Sequence, residues 1–211
     1  AAVEKAKKEK RRPPSMPWSE TVAPVPETPF FALGTPAIHW NGKVAPLAGY
    51  SARGFLWYQG ESNAGDSEAL FAEQFGVLLD SWRRAWGDSS MPWISVELAS
   101  YAHGKDWGRV RAAQRAAAAS SPNSYICSAA DTGEKSDIHP ADKDPISERL
   151  ERIAMRRVYG AGGVMDKSPE FSGAEFKKGG ALVKFDSFGG KLEGRGEPRG
   201  FELKIGGKWV E

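Results

Sequence analysis

Three stretches of this sequence hold side chains that can do chemistry. Gln59-Gly60-Glu61-Ser62-Asn63 sets two amides, a carboxylate and a hydroxyl directly after the apolar run GFLWY. Glu97 to Tyr101, with His103 beyond, follows PWISV. Asp131-Thr132-Gly133-Glu134 and Ser136-Asp137-Ile138-His139-Pro140 follow SYICSAA. A histidine acting as general base needs a carboxylate on one ring nitrogen to fix its tautomer and stabilise the imidazolium. Asp137, two residues before His139, can supply it if the loop curls, and Pro140 restricts the backbone of His139. The same spacing also suits an ordinary loop histidine beside a solvent-facing aspartate, since short motifs recur by chance.

Gly60-Glu61-Ser62-Asn63-Ala64 has the outline of a nucleophile elbow, in which a serine tops a sharp strand-to-helix turn. An α/β-hydrolase using Ser62, His139 and Asp131 or Asp137 is therefore one reading. Three points weigh against it. Glu61 is bulky and charged where an elbow needs a small residue, and four polar side chains suit a turn that positions a substrate. Ser62 and Asn63 also precede a helix expected to begin near Ser67, where they can satisfy backbone donors. The Gln59 side-chain N–H and nearby backbone N–H groups instead suit stabilisation of a developing negative charge.

The elements that would position these groups alternate. Ala52 to Gln59 is predicted as a strand, apolar without alternation and so buried on both faces. Ser67 to Trp86 is predicted as a helix, with Phe71, Phe75, Leu78, Trp82 and Trp86 on one stripe and Gly87 closing it. A strand over Pro92 to Ala99, a helix over Trp107 to Ala119, a strand over Ser124 to Ala130 and a helix over Pro145 to Tyr159 follow. This order predicts a parallel sheet covered on both faces, whose ligand sites collect at the carboxyl ends of the strands. After Gly163 the texture changes: 179–186 and 200–210 read as strands joined by glycine-rich loops. The expected organisation is a charged, proline-rich linker over 1–34, an α/β domain over 35–163 and the start of a β module over 164–211.

Composition narrows the function classes. The 211 residues carry a formal net charge of +2, which leaves no electrostatic footprint for nucleic acid. No apolar stretch is long enough to cross a membrane. The start AAVEKAKKEKRRPP has the charge of a secretory signal without its apolar run. The lone Cys127 excludes an internal disulfide. His39, His103 and His139 show no metal-ligand spacing. No metal or cofactor is expected. The eight tryptophans are read chiefly as core, with sugar stacking as the other use.

WYQGESNA, the helix end DSWRRAWG, PWISVELASY, VRAAQ and DTGEKSDIHPADKDPISERL, in that order, resemble the sialate O-acetylesterase family. These are carbohydrate esterases of the SGNH-hydrolase superfamily. TPAIHWNGKVAPLAGYSARG is similar to the family's lead into this region, so the likeness runs from about Thr35 to Tyr159. It implies a flavodoxin-like, three-layer α/β/α SGNH-hydrolase domain that cleaves acetyl esters on sugars with a serine nucleophile. His139 would be the general base. The Q-G-E motif maps onto Gln59, Gly60 and Glu61, with Gln59 as oxyanion-hole donor and Gly60 and Asn63 beside it in substrate binding. The superfamily's acid usually stands three residues before the histidine, which here is Ser136. Asp137 is the nearest carboxylate, with Glu61 and Glu134 as alternatives.

The family's nucleophile lies in a G-Q-S-N motif that does not occur in these 211 residues. The expectation is that this is an interior or C-terminal part of a longer esterase, partnered by an N-terminal half that brings the serine. The expected partner otherwise is an acetylated carbohydrate, with neither nucleic acid nor membrane involved. The resemblance favours a secreted or periplasmic location. A non-catalytic carbohydrate-binding protein with a degenerate cleft is the competing reading from another class.

Overall fold

The apolar runs form strands shorter than their apolar extent, because pairing stops where each run turns toward its polar end. In the computed structural model, which describes residues 37–102, 107–134, 136–194, 196–197 and 201–210, these are β1 (Phe55–Trp57), β2 (Trp93–Val96) and β3 (Ser124–Cys127). The stretch expected as a linker over 1–34 and His103 lie outside the described residues. The strands are parallel in the order β1-β2-β3, with Phe55 opposite Trp93 and Trp93 opposite Ser124.

Helix α1 (Glu68–Trp86) follows β1, α2 (Trp107–Ser120) follows β2, and α3 (Asp144–Ile153) follows β3. Parallel neighbours require such crossovers. Ser67 caps α1 with its Oγ accepting from the Leu70 N–H at 3.2 Å. At the other end Gly87 is left-handed, and the Gly87 and Asp88 N–H groups reach the Arg84 and Arg83 carbonyls in a Schellman arrangement. The expectation that Ser62 and Asn63 would cap this helix is corrected: Ser67 fills that role.

Each face of the sheet has its own core. On one, Phe55 and Trp93 meet Phe71, Phe75 and Leu79 of α1 and Ala113 and Ala117 of α2, with Trp57, Trp82 and Trp86 against the edge. The Phe55 ring stands edge-on to Trp82 at 5.1 Å and to Trp86 at 4.9 Å. On the other, Ile94, Val96 and Cys127 meet Ile146 and Ile153 of α3. This gives three layers, and each buried large apolar side chain contributes roughly 1.5–3 kcal/mol. Tryptophans 57, 82, 86 and 93 thus serve packing. Burial pushes the Cys127 thiol up to about 11, so it stays protonated.

Two expectations change. β2 is buried throughout, but Leu56 in β1 is 64% exposed. Leu56 lies beside Ile94 in register, on the α3 face, and α3 packs on β2 and β3 instead. On α1 the buried line is Phe71, Phe75, Leu79 and Arg83, with Leu78 and Trp82 at its margin. Arg83 is 5% exposed and donates through Nε to the Met91 carbonyl at 3.0 Å and through Nη2 to that of Pro122 at 2.7 Å. It binds the end of α1 to the segments entering β2 and β3.

The chain divides into two compact units, Ala1–Asp166 and Lys167–Glu211. In the second, β4 (Glu170–Lys177) and β5 (Gly180–Asp186) form an antiparallel hairpin with a bulge between Phe171 and Gly173. β6 (Leu203–Ile205) and β7 (Lys208–Val210) form another. β4 has no counterpart in the sequence reading, because Gly173 and the bulge interrupt its alternation.

Candidate active site

Leaving β1, the chain turns at Gly60 and makes a single 3₁₀ turn over Glu61–Asn63. The Gly60 N–H donates to Oε2 of Glu61 at 3.0 Å, so the Glu61 carboxylate folds back over the turn. Gln59 Nε2 points to Asn63 Oδ1 at 3.5 Å. Asn63 Nδ2 donates to Asp66 at 2.8 Å and to Gln74 at 3.1 Å. Gln59, Gly60, Glu61 and Asn63 therefore form one hydrogen-bonded turn. Ser62 is exposed on it, several residues before α1 begins. An elbow serine needs the strand-to-helix junction itself, and Ser62 does not occupy it.

In the loop after β3 the Asp137 carboxylate meets the His139 backbone rather than the ring nitrogen that the spacing offers it. Asp137 Oδ1 accepts the His139 N–H at 2.8 Å, and Pro140 is buried behind it. The imidazole is exposed and makes no hydrogen bond with a described residue. Glu134 Oε1 accepts the Ala141 N–H at 3.4 Å. Asp131 differs from these carboxylates: both its oxygens take a bidentate Arg149 guanidinium, at 2.7 and 2.6 Å. That geometry fixes the Arg149 guanidinium against the strand end.

Two observations bring the first and third stretches together. Ile138, next to His139, packs on a cluster of Ala64, Leu98, Trp107 and Val110, together with Tyr101. Ala64 directly follows Asn63, so one apolar patch lies beneath both loops. Separately, the Lys143 ammonium sits 4.8 Å from the centre of the Tyr58 ring. Desolvation lowers the Lys143 pKa, opposed by the charges of Glu61 and Asp137. Desolvation raises that of the Tyr58 hydroxyl, with Glu61 adding to it. Glu61, Lys143 and Asp137 thus share one electrostatic neighbourhood.

The second stretch has another character. Glu97 is 2% exposed, with Arg115 at 3.1 Å, Arg111 at 3.8 Å and the Ser128 hydroxyl donating at 3.1 Å. Desolvation raises its pKa, and Arg115, Ser128, Arg111 and Arg149 pull it down. Ser100 Oγ donates to the Ala130 carbonyl at 2.5 Å. These residues join strand ends from below. Gln114 of VRAAQ, to which the sequence alone assigns no role, is 3% exposed and bonds to the backbone of Gln59 and Leu98, just past β1 and β2. Its signal was a glutamine on the small-residue face of α2. No cluster of metal-ligating side chains occurs among the described residues.

Residues 41–147, half of the chain, match the model of the carbohydrate esterase family of sialic acid-specific acetylesterases. The chain belongs to this family. Sialate O-acetylesterase of Rattus norvegicus is 30% identical over 174 residues, covering 73% of this chain and 31% of that protein. The Homo sapiens enzyme is 26% identical over 155 residues, covering 63% and 30%. A carbohydrate acetylesterase from Xanthomonas citri has the same fold, with a TM-score of 0.65 and 32% identity over 78% of this chain and 39% of its own. The chain thus spans about a third of the length of the curated relatives it matches. Family membership and the parallel three-layer sheet agree with the flavodoxin-like, SGNH-type fold that the motifs implied.

Proposed function

We propose that this chain carries the base-and-oxyanion side of a carbohydrate O-acetylesterase. The observation that supports it best is the shared footing of the Gln59–Asn63 turn and the Asp137–His139 loop on the Ala64–Leu98–Ile138 patch. In this reading His139 takes a proton from the attacking serine and returns it to the departing sugar hydroxyl. Asp137 acts through the His139 backbone N–H, fixing the loop that presents the imidazole, and the Gln59 side-chain amide stabilises the tetrahedral oxyanion. Gly60 lets the turn approach the ester, and Asn63 holds the Gln59 amide. The Glu61 charge acts on Lys143 and sets the charge of the rim.

The attacking serine in this proposal comes from sequence outside these 211 residues. Ser62 stands off the strand-to-helix junction, and no G-Q-S-N motif occurs in the chain. The partner is then a G-Q-S-N-bearing segment of the same esterase, and the substrate an acetylated sugar.

The test measures p-nitrophenyl acetate turnover with the chain joined to that segment. Ser62→Ala should keep wild-type turnover, and His139→Ala should lose on the order of 10²–10⁴-fold. A serine-directed phosphonate should leave its adduct outside residues 1–211. Loss of turnover in Ser62→Ala, with the adduct on Ser62, would make the chain a self-sufficient hydrolase and refute this placement.

A further inference from the structure

We infer that Gln114 is a positioning residue for this chemistry: its side-chain amide fixes the direction in which the Gln59–Glu61 turn leaves β1. The inference rests on the esterase reading and adds to it a residue that touches no reacting atom. A buried primary amide is costly unless both its halves are paired. In Gln114 both are, and both partners are backbone. Oε1 accepts the Leu98 N–H at 2.9 Å, and Nε2 donates to the Gln59 carbonyl at 3.1 Å.

These contacts lie just beyond the last β1–β2 pair, Trp57 opposite Ser95. There the strands part, and the Gln114 amide bridges them like a peptide group borrowed from α2. Because one end must donate and the other accept, only one orientation of the amide satisfies both strands. The turn is thereby held in one register against β2.

Gly60 makes the fit possible. Its backbone sits at φ 151° and ψ −4°, a conformation open essentially to glycine alone. A methyl there would stand 2.9 Å from Gln114 Nε2 and 3.6 Å from Leu98 Cδ2. The missing side chain is the space the amide fills. The Gly60 N–H meanwhile holds Glu61. Clamp, glycine and carboxylate form one piece, and the Gln59 side chain emerges directly from it.

The experiment compares Gln114→Met, which fills similar volume without hydrogen bonds, with Gln114→Glu, which keeps the acceptor for Leu98 but sets a carboxylate against the Gln59 carbonyl. Ile153→Ala, in the core on the opposite face of the sheet, serves as a control for lost stability. Hydrogen exchange at residues 59–63 is read on the 211-residue chain, and kcat and KM for p-nitrophenyl acetate on the chain joined to its G-Q-S-N-bearing segment. Gln114→Met should lower kcat on the order of 10²-fold, as a misplaced oxyanion donor would, with KM held within about threefold. Exchange at 59–63 should speed up in both Gln114 variants. Ile153→Ala should melt earlier yet keep kcat and slow exchange at the turn. Wild-type kcat in Gln114→Met, or unchanged exchange at 59–63, would overturn the inference. If the joined wild type turns over no ester, the esterase reading fails by itself, and exchange at 59–63 decides whether the clamp exists.

Discussion

Gly133→Ala sets two effects of opposite sign against each other. Gly133 lies at φ −74° and ψ 158°, where alanine is comfortable. The smaller freedom of alanine in the unfolded chain alone would therefore stabilise the protein by about 0.4–1 kcal/mol. The surroundings decide otherwise. An added methyl would stand 2.0 Å from the Ser100 carbonyl oxygen and 2.4 Å from its nitrogen, both well inside the 3.0 Å that real Cβ atoms essentially never breach. Both obstacles are backbone in the segment that follows β2, so the loop carrying Gly133 has to move. Overpacking of this kind costs roughly 1–3 kcal/mol. Losing the bond from Ser100 to the Ala130 carbonyl adds about 1 kcal/mol. The net is a loss of roughly 2 kcal/mol, a fall in Tm of roughly 4–8 °C for a chain of this size. Because the same loop carries His139, a displacement near 1 Å should also cut ester turnover on the order of 10²-fold. Calorimetry of the 211-residue chain and p-nitrophenyl acetate kinetics of the joined protein read the two effects. A Tm equal to or above wild type would mean that unfolded-state entropy outweighs the contact and that Gly133 is not wedged against Ser100.

Two further outcomes concern buried charge. Arg83→Met strands the buried Met91 carbonyl, while the carbonyl of the exposed Pro122 can turn to water; at about 1–3 kcal/mol for one buried unpaired group, urea melts should show a loss of roughly 1–3 kcal/mol, and a change below about 0.5 kcal/mol would contradict it. For Glu97 the folded-state pKa is raised, chiefly by desolvation, so the folded state holds this proton more tightly than the unfolded chain. That contribution is fully present below the ordinary glutamate pKa and is lost as pH rises through the raised folded value. Urea melts over a pH series should therefore show wild type losing stability relative to Glu97→Gln across that window, then running parallel above it; a relative gain by wild type would reverse the assignment.

The sequence by itself determined the layer architecture. Apolar runs at GFLWYQ, PWISVE and SYICSA, each followed by a helix-period stripe, allow little besides a parallel sheet with crossover helices, and these patterns are local. The same alternation placed Gln59 to Asn63 and Asp131 to His139 after strand ends, where parallel sheets gather ligands. The short Asp137–His139 spacing showed that the loop could curl, but only the tertiary structure showed the carboxylate meeting the His139 backbone N–H. The supports of the site were not legible. Gln114 reaches Gln59, 55 positions away, Arg83 reaches Pro122 across 39, and Ser128 reaches Glu97 across 31. A polar residue on a helix face reads as solvated until its partners are known, and periodicity says nothing about partners so distant in the chain. Leu56 shows the converse: its type marked a buried strand, and only the reach of α3 left it exposed. Local periodicity fixes which elements form, whereas packing of distant backbone decides which polar groups become buried and paired, and so which loops are held still enough for chemistry.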